Sequence, residues 1–355
     1  MTRSPHRLAM TAICAFLPSS LDLFARQQSP EASHDRATDW ALTLGLLGRF
    51  RREAGIANYN GGRPDTTGQM TTPGWRITLC GEVGEVDADR VFQGSIPAFY
   101  DEHLGPLLFV PYADDLASRL AEIQHGQILE TAAGTGVLTR ALVSSLPESV
   151  SIVATDLNQP MLDHASTQLP SARVNWRKAD AQHLPFPDGE FDAVACQFGV
   201  MFFPDKPRAF SEAYRVLKPS GRFLFNVWDR IEENEFAEVL VRSVATLFPD
   251  NPPKFLARTP HGHYDTAALE AQLRAAGFGA VTTETVTRES QAANARSVAI
   301  GYCQGTPMRN EIEAHDPDRL AEATDAAAAA ITKQFGPGPV TGKIQAHIIT
   351  AVRNS

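Results

Sequence analysis

From residue 127 onward the chain alternates short apolar runs with stretches whose apolar residues recur at helical spacing. Apolar runs near 127–131, 151–156, 173–177, 191–197 and 222–228 predict strands. Stretches near 136–146, 159–168 and 207–217 predict helices. Strands and helices that alternate in this way predict a parallel sheet with helices on both faces, an α/β fold. Beyond Trp228 the pattern changes. Residues 232–247 read as an amphipathic helix, 249–253 and 259–264 as loops, 266–276 as a helix closed by Gly277, and 280–286 as a strand. Residues 296–335 read as largely helical, with an alanine run at 326–330, and 343–352 read as a strand near the C-terminus. Upstream, 91–120 predicts helix broken into pieces by Pro106 and Pro111, and the Gly/Asn/Thr/Pro-rich stretch 58–74 predicts a loop or linker.

Residues 128–139, ILETAAGTGVLT, join a strand to a helix through a turn of small residues. Residues 150–161, VSIVATDLNQPM, carry a second strand that ends on Asp156. This is the sequence form of a nucleotide-binding βαβ unit. Gly134 and Gly136 let backbone come close to a ligand because no Cβ intervenes. Asp156 lies twenty residues past Gly136, and a carboxylate at a strand tip can accept both hydroxyls of a ribose. Gly-x-Gly alone is a weak signal, since ordinary turns carry it too. A dinucleotide fingerprint would place a third glycine where Thr139 stands.

Two later segments, ADAQHLPFPDGEFDAV over 179–194 and RVLKPSG over 215–221 followed by an apolar strand, complete the pattern. In this order and spacing the motifs closely resemble the class I S-adenosylmethionine-dependent methyltransferases, nearest the ubiquinone/menaquinone C-methyltransferase-like branch. The resemblance is dense over 91–228, looser to 353, and does not cover roughly the first eighty residues. It implies a Rossmann-like seven-stranded sheet ending in an antiparallel strand at 343–352, with S-adenosylmethionine as cofactor and a small, partly apolar methyl acceptor. It also implies an N-terminal extension over 1–88 and a methyltransferase domain over 89–355. Insertions at about 229–264 and 290–340 would build a helical cap over the acceptor.

Carried over residue by residue, the resemblance puts Glu130 near the methionyl amino group. Ala132, Gly134 and Gly136 fall in the loop beside the methionine and ribose. The family usually has glycine where Ala132 stands, so this turn must tolerate a methyl group. Asp156 would bind the ribose hydroxyls, Leu157 and Met161 would line the adenine pocket, and Asp180 with Ala181 would read the adenine amine. Gln197 and Phe198 would border the methyl group and the acceptor, while Asp192 is expected to tie the fourth strand to its neighbours. Tyr100 could cover the sulfonium, or pack as an ordinary aromatic, as could His103 and Tyr112. If the acceptor is a phenol or an acidic carbon, a base is needed, and Tyr100, His103, His261, His263 and Tyr264 are the candidates. The competing classes are an NAD(P)-dependent oxidoreductase, disfavoured by Thr139 and by the later motifs, and a non-catalytic module that binds S-adenosylmethionine.

Composition narrows the partners. A chain of 355 residues with 43% hydrophobic and 21% charged residues fits a soluble globular protein with one large α/β domain plus additions, or two modest domains. The net charge of -9 repels nucleic acid on average and favours a small-molecule acceptor. Cys14, Cys80, Cys196 and Cys303 are too scattered for a metal site or a disulfide framework and read as reduced thiols. No segment reaches the ~20 apolar residues of a membrane span. Arg3 and Arg7 before the apolar run 8–17 have the outline of a signal peptide, but Pro18 and Asp22 follow without a clean cleavage site. A secreted protein would meet no S-adenosylmethionine, so the expected location is the cytoplasm.

Overall fold

The computed structural model describes Asp89, Arg90 and residues 96–355. The signal-peptide outline, the loop at 58–74, the 1–88 extension, Cys14 and Cys80 lie outside the described residues. Seven strands form one sheet in the order β3-β2-β1-β4-β5-β7-β6. They are β1 (Gly126–Thr131), β2 (Val150–Asp156), β3 (Val174–Lys178), β4 (Phe191–Gln197), β5 (Leu217–Trp228), β6 (Val281–Ala292) and β7 (Val340–Val352). The first five run parallel, and β7 inserts antiparallel between β5 and β6. Helices cover both faces, as the alternating pattern predicts.

The central parallel strands are mostly apolar because both faces are covered, whereas the edge strand β3 is largely polar and exposed. Residues 128–131 of β1 and 193–196 of β4 are buried. Asp192 does bridge strands: it accepts from the Gln127 amide at 2.8 Å and pairs with Lys218 at 2.8 Å. The order reverses between β1 and β4, and the tips of β1, β2 and β4 open a crevice there, where α/β sheets place their ligands.

Two expectations need correction. The strand expected at 280–286 continues to Ala292 and pairs along its whole length with β7, which itself begins at Val340. Most of β6 is exposed, so its second half carries polar side chains that do not advertise a strand. Pro106 does not break the helix at 91–120 either. Tyr100–Phe109 forms a π-helical segment that contains Pro106 and continues into α1 (Val110–Arg119), with Pro111 in the first turn. The Val110 amide donates to Gly105 O, five residues back, and this wider turn accommodates a residue that lacks an N–H.

Helices α2 (Val137–Ser145), α3 (Gln159–Gln168) and α4 (Lys206–Val216) follow β1, β2 and β4. After β5 come α5 (Glu235–Ala245), a turn of helix at Phe255–Arg258, and α6 (Thr266–Ala275). The stretch 296–335 resolves into α7 (Ala295–Gln304), α8 (Met308–His315) and α9 (Arg319–Phe335). Gly277 closes α6 with φ of +109°. Among the described residues no helix is long and apolar enough to cross a membrane.

Candidate active site

A cleft of about 720 Å³ lies along the tips of β1, β2 and β4. Its floor is Ala132, Gly134 and Asp156, its far end Asp180 and Ala181, and Leu157 and Met161 form a wall. Gln197 and Phe198 close the near end, where Tyr100 also reaches it.

Gly134 has φ of +56° and faces open space, since nothing stands within 4 Å of where its Cβ would be. Its amide donates to Asp156 Oδ2 at 2.8 Å, and the Asn158 amide donates to Oδ1 at 2.7 Å. Asp156 is thus fixed at the strand tip. Burial raises its pKa against these hydrogen bonds, but each oxygen keeps acceptor capacity for a ligand hydroxyl. Leu157 is one of few large apolar side chains left exposed, at 39%. Asp180 accepts from the Gln182 amide at 2.9 Å and remains half-exposed at the cleft's end.

Glu130 and Gly136 are not in the cleft. Glu130 is buried under the loop, where it accepts from the Thr139 hydroxyl at 2.6 Å, and burial pushes its pKa up to about 8. Gly136 starts α2 with φ of +78°, and a Cβ there would lie 2.9 Å from the Trp176 ring. It serves the packing of the turn rather than the surface of the cleft.

Ala132 keeps its methyl group in a left-handed conformation, φ +53°. Room for it comes from Gly199, where an added Cβ would sit only 2.4 Å from Ala132 Cβ. Phe198 is also left-handed, at φ +50°. It is held there by the Asn226 side chain, which accepts from its amide at 2.8 Å, and by a stack on Trp228 at 3.8 Å and 7°. The Gln197 amide group donates to Phe109 O at 2.7 Å and so ties β4 to the π-helical segment.

On the other side of Phe198 lies a second cavity of about 520 Å³, walled by Leu104, Phe109, Met201, Trp228, Phe255 and Leu256 among others. The two cavities share Tyr100, Phe198 and Phe202. Tyr100 stacks on Phe109 at 4.8 Å; burial first, then the Asp156 charge, raises its pKa, so it remains a phenol and cannot serve as a resting base. Next to it Asp101 accepts from Thr135 at 2.9 Å and pairs with Arg140 at 2.8 Å and His164 at 3.2 Å. Burial acts to raise its pKa, but Arg140 in particular holds it below the usual range. That cluster pins the π-helical segment to the glycine loop.

The remaining candidates separate. His261 is buried in the wall of the second cavity, its Nδ1 2.8 Å from Asp229 O, with burial pushing its pKa down to about 4. His103 stacks on Phe99 and lines neither cavity. His263, half-buried and also lowered to about 4 by burial and by Lys206, lines neither, and nor does the exposed Tyr264. Tyr112 is structural: its hydroxyl donates to Val286 O at 2.9 Å and reaches Ile344 O at 3.3 Å. Cys196 and Cys303 are buried and unpaired. Sequence reasoning missed Asn158, Gly199 and Phe202 in the cleft and nearly all of the apolar cavity.

A methyltransferase-domain family model matches residues 129–225. The ubiquinone/menaquinone biosynthesis C-methyltransferase UbiE of Pseudomonas aeruginosa is 31% identical over 182 residues, covering 47% of this chain and 71% of that protein. The chain belongs to the class I S-adenosylmethionine-dependent methyltransferases. The UbiE of Escherichia coli is 32% identical to this chain over 179 residues, 46% of this chain and 71% of that protein. Among solved structures, phosphoethanolamine N-methyltransferase 2 of Haemonchus contortus, with phosphomonomethylethanolamine and S-adenosylhomocysteine, has the same fold. It aligns with a TM-score of 0.50 at 18% identity, over 77% of this chain and 61% of that one. Membership sets aside the oxidoreductase reading: this methyltransferase uses S-adenosylmethionine as methyl donor.

Proposed function

We propose that this methyltransferase transfers the methyl group to a small, largely apolar molecule held in the aromatic cavity. The observation that carries this is the shared wall: Tyr100, Phe198 and Phe202 border both the cleft and the cavity. When bound, S-adenosylmethionine supplies a methyl group already activated by the sulfonium charge. Asp156 would hold the ribose hydroxyls, and the open face of Gly134 leaves room for backbone approach. Leu157, Met161 and Ala181 would line the adenine, with Asp180 in reach of its amine. Ala132 and Gln197 would border the methionine portion, and Phe198 and Tyr100 the transferred methyl.

Given an activated donor, the chain's own work is orientation and exclusion of water. Stacked Phe198 and Trp228 form a rigid apolar face for the acceptor. Elements from 229–264 and 290–340, including Phe255, His261 and Tyr302, supply one side of the wall, and we propose these two segments as the cap. Incubating the full chain with methyl-labelled S-adenosylmethionine and a panel of apolar phenols, lipids and polar metabolites tests the reading. Label is expected on apolar members; transfer confined to charged, polar metabolites would refute it.

A further inference from the structure

The walls of the apolar cavity carry few polar groups, and most are already engaged. Asn234 donates to Arg230 O at 3.1 Å and Gln345 O at 3.3 Å, and its own oxygen accepts from the Gln345 amide at 3.1 Å. Thr306 donates to Tyr302 O at 2.7 Å and accepts from the Met308 amide at 3.2 Å. Two atoms differ. The hydroxyl of Tyr302, a side chain only 3% exposed, makes no hydrogen bond among the described residues. His261, 5% exposed, uses only Nδ1.

The tautomer of His261 follows from its partner. Asp229 O is a carbonyl and only accepts, so Nδ1 carries the proton and Nε2 of the neutral ring has a lone pair. The ring is held in that state by burial, which keeps it from charging. The Tyr302 phenol is likewise kept protonated by burial and has a proton to donate. Polar atoms that line an apolar cavity without a protein partner cost binding energy when an apolar ligand displaces water from them, and a ligand that completes them avoids that cost.

We propose that His261 Nε2 and Tyr302 Oη are the specificity-determining pair of the acceptor site. They select an apolar molecule that donates one hydrogen bond, from an O–H or N–H, and accepts one, at a carbonyl-type oxygen. This rests on the cavity being the acceptor site. An apolar molecule without a donor leaves Nε2 desolvated and unpaired, and that penalty discriminates more sharply than the loss of a methylene would. His261 acts here by orienting the acceptor through the hydrogen bond, which needs no charged imidazole in the resting complex.

Equilibrium dialysis on the full chain saturated with S-adenosylhomocysteine tests the pair, using naphthalene, 2-naphthol and 2-acetylnaphthalene. Both polar probes are expected to bind about tenfold more tightly than naphthalene, the worth of one good hydrogen bond. His261→Asn keeps a donor for Asp229 O while removing the Nε2 lone pair. It should abolish the 2-naphthol advantage and leave naphthalene affinity unchanged. Tyr302→Phe, which deletes a single oxygen, should abolish only the 2-acetylnaphthalene advantage. If 2-naphthol binds no better than naphthalene, or keeps its advantage in His261→Asn, the proposal is wrong while the apolar acceptor reading stands. If none of the three probes binds the wild-type protein, the acceptor reading falls and the pair with it.

Discussion

The cleft and the cavity meet at Phe198 but are built in opposite ways. Much of the cleft comes from loops at the ends of successive strands, so Gly134, Asp156 and Asp180 sit close to motifs that run in chain order. The cavity is assembled from side chains as far apart in the chain as Leu104, Trp228, Phe255 and Thr306. The first uses backbone amides and a fixed carboxylate, which any ligand with the same ribose can exploit. The second uses aromatic walls, whose chemistry can change without disturbing the sheet. A common donor and a variable acceptor would be expected to leave these two signatures.

Removing the fixed carboxylate puts the greatest strain on that contrast. Asp156→Ala should weaken S-adenosylhomocysteine binding about 100-fold by calorimetry, since two hydrogen bonds to a charged acceptor are worth roughly 3 kcal/mol together. Naphthalene binding in the cavity should hardly change. Equal loss at both sites would show that the cleft and the cavity are one energetic unit.

What could be read in advance follows the same division. Strands β1, β2, β4 and β5 and their helices were legible because a covered parallel strand is a continuous apolar run. Asp156, Leu157 and Asp180 were legible because strand tips fix their position. The π-helical Tyr100–Phe109 was not, since Pro106 signals a break whatever wider turn absorbs it. The far half of β6 was not, because polar side chains on an exposed strand carry no apolar rhythm. The places of His261 and Tyr302 in the cavity wall depend on tertiary packing alone, so no local pattern could separate His261 from His103 or His263.

Glu130 tests whether a motif residue belongs to the cleft or to its foundations. Burial pushes its folded pKa up to about 8 from the ordinary glutamate value of 4.5, so between those values the folded state binds more protons than the unfolded state. Stability therefore falls as pH rises through that window. Glu130→Gln keeps an acceptor for the Thr139 hydroxyl and cannot ionise. Thermal melts should show it several degrees more stable than wild type at pH 9 and nearly equal at pH 4. Donor affinity should stay within about threefold. A large loss of donor affinity would return Glu130 to the methionyl amino group.

The smallest expected effect concerns the seam itself. A Cβ at residue 199 would lie 2.4 Å from Ala132 Cβ and 2.7 Å from Cys196 Sγ, so Gly199→Ala should cost about 1–3 kcal/mol of stability as overpacking. Ala132→Gly alone should do little. It relieves roughly 1–2 kcal/mol of left-handed strain, but glycine returns about 0.5–1 kcal/mol through the freer unfolded chain. In the double variant the closer of the two contacts is gone, so Gly199→Ala should cost less than half of what it costs alone. A denaturant-based double-mutant cycle measures that coupling. If Gly199→Ala costs the same in both backgrounds, Cys196 rather than Ala132 demands the glycine. The departure at residue 132 from the usual glycine would then be tolerated by its own loop, with no help from the turn after β4 that carries Phe198 and Gly199.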